Sequence, residues 1–135
     1  MDPAPSGEMT VPVSIGEVVD KLTILEIKSE RLSDPGRLAN VREELRLLGA
    51  AFAAQFPDPD PRFGELVAAL KSVNGALWEI EDDIRDCERE KDFGDRFVQL
   101  ARSVYRTNDE RAALKREINV LLGSKLIEEK SYAAY

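Results

Sequence analysis

Three breaks divide this chain, and between them apolar residues recur at steps of three and four. The breaks are "SDPG" at residues 33–36, "PDPDP" at 57–61 and "DFGD" at 92–95. A helix does not run through Pro, because the ring removes a backbone donor and clashes with the preceding turn. Asp34-Pro35 and Asp60-Pro61 also restart one, pairing a capping acid with Pro at the first helical position. A first helix is predicted from Ser14, where "SIGE" fits a capping box with Glu17 three residues on, to about residue 33. Its apolar face is Ile15, Val18, Val19, Leu22 and Leu25. The second carries the cleanest stripe, Leu38, Val41, Leu45, Leu48 and Phe52, with Ala50, Ala51, Ala53 and Ala54 small enough for close packing. The third aligns Leu66, Leu70, Val73, Leu77, Ile80, Ile84 and Cys87. The fourth is expected from about Asp95 to Leu122, stopped by Gly123.

No Asn-Gly or Asp-Gly pair is flanked by alternating apolar runs as a hairpin would be, so the fold class is all-α. The expected arrangement is an antiparallel four-helix bundle or long helical hairpins, with completion of the core by a homodimer as the alternative. At 135 residues one domain is the natural division, residues 14–135, preceded by a flexible arm over residues 1–13 with Pro3, Pro5 and Pro12. After Gly123, "SKLIEEKSYAAY" reads as a short turn of helix packing back through Leu126, Ile127 and Tyr132.

Composition excludes several chemistries. The chain has no histidine and one cysteine, Cys87. A Ser-His or Cys-His nucleophile pair is therefore impossible, and no metal site of the zinc kind is expected. A net charge of −7 argues against a nucleic-acid or anionic-membrane partner, though a few local cations can still oppose the global sign. Neither a secretory leader nor a run of ~20 apolar residues is present, which points to the cytoplasm. No cofactor is expected, and no reaction is named by these residues.

The unusual chemistry lies in "NDERAALKREIN", residues 108–119. On a helical wheel Asn108, Arg111, Lys115 and Asn119 fall within about 40° of the arc set by Phe97, Val104 and Leu122. The fourth helix is thus apolar at its ends and polar in its middle, on one face. Glu26 sits inside the apolar arc of the first helix, and Asn74, Trp78, Glu81 and Arg85 flank the stripe of the third. Glu81 and Arg85 are spaced to pair at i, i+4. Ionised groups taken out of water need partners. Glu26 and Glu81 are the expected partners of Arg85, Arg111 and Lys115, which leaves one positive charge over. With the three asparagines, that excess suits a phosphate or carboxylate. A polar seam that only specifies register is the structural alternative. The pairs Glu17/Asp20 and Glu79/Asp82 have the i, i+3 spacing that holds Mg²⁺ in all-α nucleotide pyrophosphohydrolases, a weaker reading because Glu17 serves the cap and Glu79 and Asp82 a solvated face.

The stretches "SIGEVVDKLTILEIK", "LWEIEDDIR", "LARSVYRTNDERAALKREIN" and "GSKLIEEKSY" resemble a family of small bacterial proteins defined as a domain of unknown function. The resemblance spans Ser14 to Tyr135. It implies a setting near genes of cell-surface polysaccharide or glycosyl transfer and carries no activity. The expectation is accordingly a small anionic ligand, a phosphorylated or nucleotide-linked sugar, held between helices by Glu26, Asn74, Trp78, Glu81, Arg85, Asn108, Arg111, Lys115 and Asn119.

Overall fold

The computed structural model describes residues 7–135. The expected arm of residues 1–13 lies outside the described residues as far as residue 6; residues 7–13 are exposed and carry no helix. Among the described residues there are four helices and no strand: α1 (Ile15–Arg31), α2 (Pro35–Gln55), α3 (Arg62–Glu90) and α4 (Asp95–Leu121). They pack as a four-helix bundle. No helix is long and apolar enough to cross a membrane among the described residues.

The breaks act as their chemistry requires. Ser14 Oγ accepts the N–H of Glu17 at 3.2 Å, and an Asp34 carboxylate oxygen accepts that of Arg37 at 2.9 Å, each satisfying a donor that a helix N-terminus leaves orphaned. Asp60 accepts the Arg62 N–H at 2.9 Å at the entry to α3. Helix α3 ends where Lys91 turns left-handed (φ 54°), and Gly123 (φ 68°) reverses the chain after α4.

Helix α1 is the central element, packing against α2, α3 and α4, while α3 and α4 form the most extensive pair. One apolar cluster forms where Val19 of α1, Leu70 of α3 and Ile118 of α4 meet, surrounded by Ile15, Phe52, Phe63, Leu66, Val67, Leu114 and Leu122, and Leu25, Ile27 and Cys87 are buried outside it. Phe52 of α2 stacks on Phe63 of α3 with ring centroids 5.2 Å apart, which ties α2 to the hairpin. Offset aromatic pairs of this kind add to the area they bury.

Three expectations are corrected. The stripe of α2 faces the bundle, yet only Val41 of it is buried, and Ala50, Ala51, Ala53 and Ala54 are all exposed. Helix α2 is an outer element, so its small residues meet solvent. The C-terminal segment forms no helix, and Leu126, Ile127 and Tyr132 are exposed; it packs back through charged residues instead. Finally, α1 buries a second stripe beside the apolar one, Gly16, Asp20, Thr23 and Ile27. A helix with neighbours on several sides has a wide buried arc, so some of its polar residues go inside as well.

Candidate functional site

The polar middle of α4 meets that second stripe of α1 head-on. The two helices run antiparallel, which sets Gly16 against Asn119, Glu17 against Lys115 and Asp20 against Arg111. Gly16 makes the approach possible. A Cβ there would lie 2.5 Å from the Lys115 carbonyl oxygen and 2.9 Å from Asn119 Oδ1. The bare backbone instead donates its N–H to Asn119 Oδ1 at 2.6 Å. Next to it, the Ile15 N–H is taken by Ser124 Oγ at 3.1 Å. The first turn of α1 is therefore capped by residues more than a hundred positions away.

Asp20 is the centre of the seam, with its side chain 2 % exposed. Arg111 grips it with two donors, Nε to Oδ1 at 2.9 Å and Nη2 to Oδ2. Asn74 of α3 donates from Nδ2 to the same Oδ1 and to Thr23 Oγ1, both at 2.9 Å. Thr23 in turn donates to the Asp20 carbonyl at 2.7 Å. Burial pushes the Asp20 carboxyl up, but the hydrogen bonds from Arg111 and Asn74 and the Arg111 charge outweigh it and hold it below its ordinary value. One turn further along α4, Lys115 is buried and shared by Glu17 at 2.7 Å and Glu128 at 2.8 Å. Burial would lower its pKa; the two carboxylates together raise it. Every buried side-chain nitrogen and oxygen among the described residues has a hydrogen-bond partner.

The chain belongs to a family of unknown function (DUF6165), whose model matches residues 9–135.

No curated protein and no solved structure matches the chain. For this DUF6165 member the candidate site rests on geometry alone, and the geometry divides the nine candidate residues. Asn74, Trp78, Glu81, Arg85 and Arg111 line one groove of about 340 Å³ between α1, α3 and α4, together with Ile24, Ile27, Lys28, Leu77 and Asp82. Asn108, Arg111 and Lys115 line a second, polar cleft of about 240 Å³ on the other side of Arg111. Glu81 and Arg85 pair at 3.4 Å, as their spacing predicts.

Two assignments change. Glu26 does not reach Arg111; it faces Lys71 of α3 at 3.3 Å, and Glu30 shares that lysine at 2.6 Å. The partner of Arg111 is Asp20, which lies toward the hairpin while Glu26 lies at its edge. Asn119 commits its side-chain oxygen to the α1 N-terminus and lines, with Lys115 and Glu128, a third cleft of about 210 Å³. The capping box is also half-formed: Ser14 caps, whereas the Glu17 carboxylate is drawn to Lys115, a partner with a full charge.

Sequence reasoning missed Thr23 and Gly16, and it read Asp20 with Glu17 as a metal pair and not as the partner of Arg111. Their signal was present, since 16, 20, 23 and 27 recur at steps of four, three and four. A glycine inside a helix costs stability relative to alanine, and at Gly16 the packing against α4 requires it. Of the carboxylates spaced for Mg²⁺, Asp20 is held by Arg111 inside the bundle, Glu79 pairs with Arg31 on the surface and Asp82 is exposed. Among the described residues no group of three or more His, Cys, Asp or Glu is placed to hold a metal ion.

Proposed function

We propose that this protein binds a small anionic ligand carrying a ring, of the class of phosphorylated or nucleotide-linked sugars, in the groove between α1, α3 and α4. The observation that carries this reading is the lining of that groove. Trp78, Leu77, Ile24 and Ile27 supply an apolar wall, while Lys28 and Arg85 stand at the rim and Asn74 and Arg111 at the floor. A volume of about 340 Å³ falls at the small end of ligand sites, which combine apolar walls with a few placed polar groups. Arg31 sits 5.8 Å over the Trp78 ring, which places a guanidinium beside the apolar wall. The floor charge of Arg111 is committed to Asp20, and the groove sets Lys28 and Arg85 beside the exposed carboxylates of Glu81 and Asp82, so an incoming anion has to be met at those two cations. Arg85 is free to exchange, because its exposed pair with Glu81 at 3.4 Å contributes little.

Trp78 is the chain's single tryptophan, which makes its fluorescence a direct reporter of the groove. Titration with a panel of sugar phosphates and sugar nucleotides is expected to quench it saturably. Calorimetry should show Arg85→Ala weakening the best ligand by about tenfold, or ~1.4 kcal/mol. Absence of saturable quenching across the panel, or calorimetric affinity unchanged from the native protein in Arg85→Ala and Trp78→Ala, sinks the proposal.

A second reading is favoured by the seam itself, in which Asp20, Glu17 and Glu128 engage Arg111 and Lys115. In that reading the bundle is an interaction module whose ion pairs lock the helices in register. It predicts strong destabilisation by Arg111→Ala and no ligand-dependent shift in melting temperature.

A further inference from the structure

The rim of the groove carries both signs of charge, and the two signs cancel. Lys28 of α1 and Arg85 of α3 are its cations, and Glu81 and Asp82 of α3 are its carboxylates. Arg111 at the floor is neutralised by Asp20, and Arg85 is answered by Glu81 at 3.4 Å. Lys28 and Asp82 differ from these. Neither makes an ion pair with a described residue, and they do not pair with each other. They belong to different helices of the same groove. Asp82 lies one helical turn beyond Trp78, and Lys28 one turn beyond Ile24, so each charge stands next to the apolar wall.

This arrangement discriminates among anions. A phosphate drawn to Lys28 or Arg85 also approaches Asp82 and Glu81. In a site open to water, attraction and repulsion over similar distances are of similar size. The chain as a whole adds to the repulsion, with a net charge of −7. A ligand that brings an ammonium group of its own reverses this. Its phosphate faces the two cations, and the carboxylate that repelled the anion becomes the acceptor of a charge-assisted hydrogen bond. Trp78, Leu77, Ile24 and Ile27 offer an apolar wall for a ring between the two charged ends.

We propose that the groove selects phosphorylated sugars that carry a free amino group, with Lys28 and Arg85 facing the phosphate and Asp82 accepting from the ammonium. This selectivity rests on the groove being the ligand site, and it adds the charge pattern that the ligand must have.

The test uses the whole chain and three sugar phosphates of one skeleton, phosphorylated at the same position: glucose phosphate, glucosamine phosphate and N-acetylglucosamine phosphate. Acetylation keeps the nitrogen and removes its charge. Calorimetry slightly below neutral pH, at constant ionic strength, should show glucosamine phosphate binding about fivefold tighter than either of the others, the size of one solvent-screened ion pair. Asp82→Asn alters an exposed side chain that has no ion pair to lose. It should abolish the preference and bind glucose phosphate at least as well as the native protein does. Lys28→Ala should weaken all three. Phosphoethanolamine, which has both charges and no ring, should bind more weakly than glucosamine phosphate. Equal affinity for the three sugars in the native protein overturns the selectivity and leaves the groove an anion site, and a preference that survives Asp82→Asn overturns the role of Asp82. Phosphoethanolamine binding as tightly as glucosamine phosphate overturns the assignment to a sugar. Binding of none of the three removes the groove as the ligand site, and the selectivity with it.

Discussion

The seam and the groove share Arg111 and treat it in opposite ways. On the seam side its guanidinium is locked to a carboxylate with 2 % exposure, and each neighbour along α1 and α4 has a matched partner. On the groove side it lines a space that also holds Trp78 and Leu77, with Arg85 and Glu81 paired only across exposed ground. A buried charge is costly unless it is paired and hydrogen-bonded, so the seam must be complete before the bundle can close. Rim charges stay hydrated and have no such obligation. The difference teaches where each kind of evidence belongs: stability experiments read the seam, and binding experiments read the groove.

The sharpest way to break that contrast is Asp20→Ala. It leaves the Arg111 guanidinium and the Asn74 amide facing a void, and breaking a buried pair typically costs ~3–5 kcal/mol. Arg111 keeps 29 % side-chain exposure and can turn toward solvent, so a loss of about 3 kcal/mol in urea unfolding is expected. A loss below ~1 kcal/mol would mean that the seam is no more obligatory than the rim.

Next in size is Gly16→Ala. The added methyl meets the backbone carbonyl of Lys115, which cannot rotate away, so α1 and α4 must separate or shift. About 2 kcal/mol of destabilisation is expected, in the range of overpacked cores. Gly75→Ala on α3, where an added Cβ meets nothing within 4 Å, should be neutral or stabilising and serves as the control.

Acid provides a third measurement. The folded-state pKa of Asp20 is depressed below its ordinary 3.8. The stability it contributes is therefore complete above that value and is lost as pH falls through the lower, folded-state pKa. Urea midpoints measured downward from pH 5 should drop in the native protein more than in Asp20→Asn, whose residue 20 has no proton to take up. Parallel acid curves would remove Asp20 as the linked group.

The smallest effect is expected at the groove rim. Arg85→Ala should change stability by no more than about 0.5 kcal/mol, because its side chain is 74 % exposed and its pair is long. Together with the loss of ligand affinity expected of the same variant, this would separate the two regions cleanly. A stability loss comparable to that of Asp20→Ala would merge them.

Much of the fold was legible because helix boundaries are local. Asp34-Pro35, Asp60-Pro61 and Gly123 place the helix ends within a residue or two of where they fall, and the stripe of α3 points inward along its length. The seam was half legible. Arg111 and Lys115 betray themselves by standing where apolar residues should be. Their partners do not, because Asp20 and Glu17 look like surface residues on a helix whose other stripe is apolar. Glu128 was further out of reach, since a polar tail beyond a helix stop gives no pattern to read.

The sequence by itself determined four helices, their limits and the existence of charged residues on a face built to be dry. Those follow from backbone sterics and from the 3.6-residue period, which act within one segment. Which carboxylate answers which cation was decided only by tertiary structure. The antiparallel docking of α1 on α4 through Gly16 sets the register, and that register brings Asp20 rather than Glu26 to Arg111 and lets a distant tail place a second carboxylate, Glu128, on Lys115 beside Glu17.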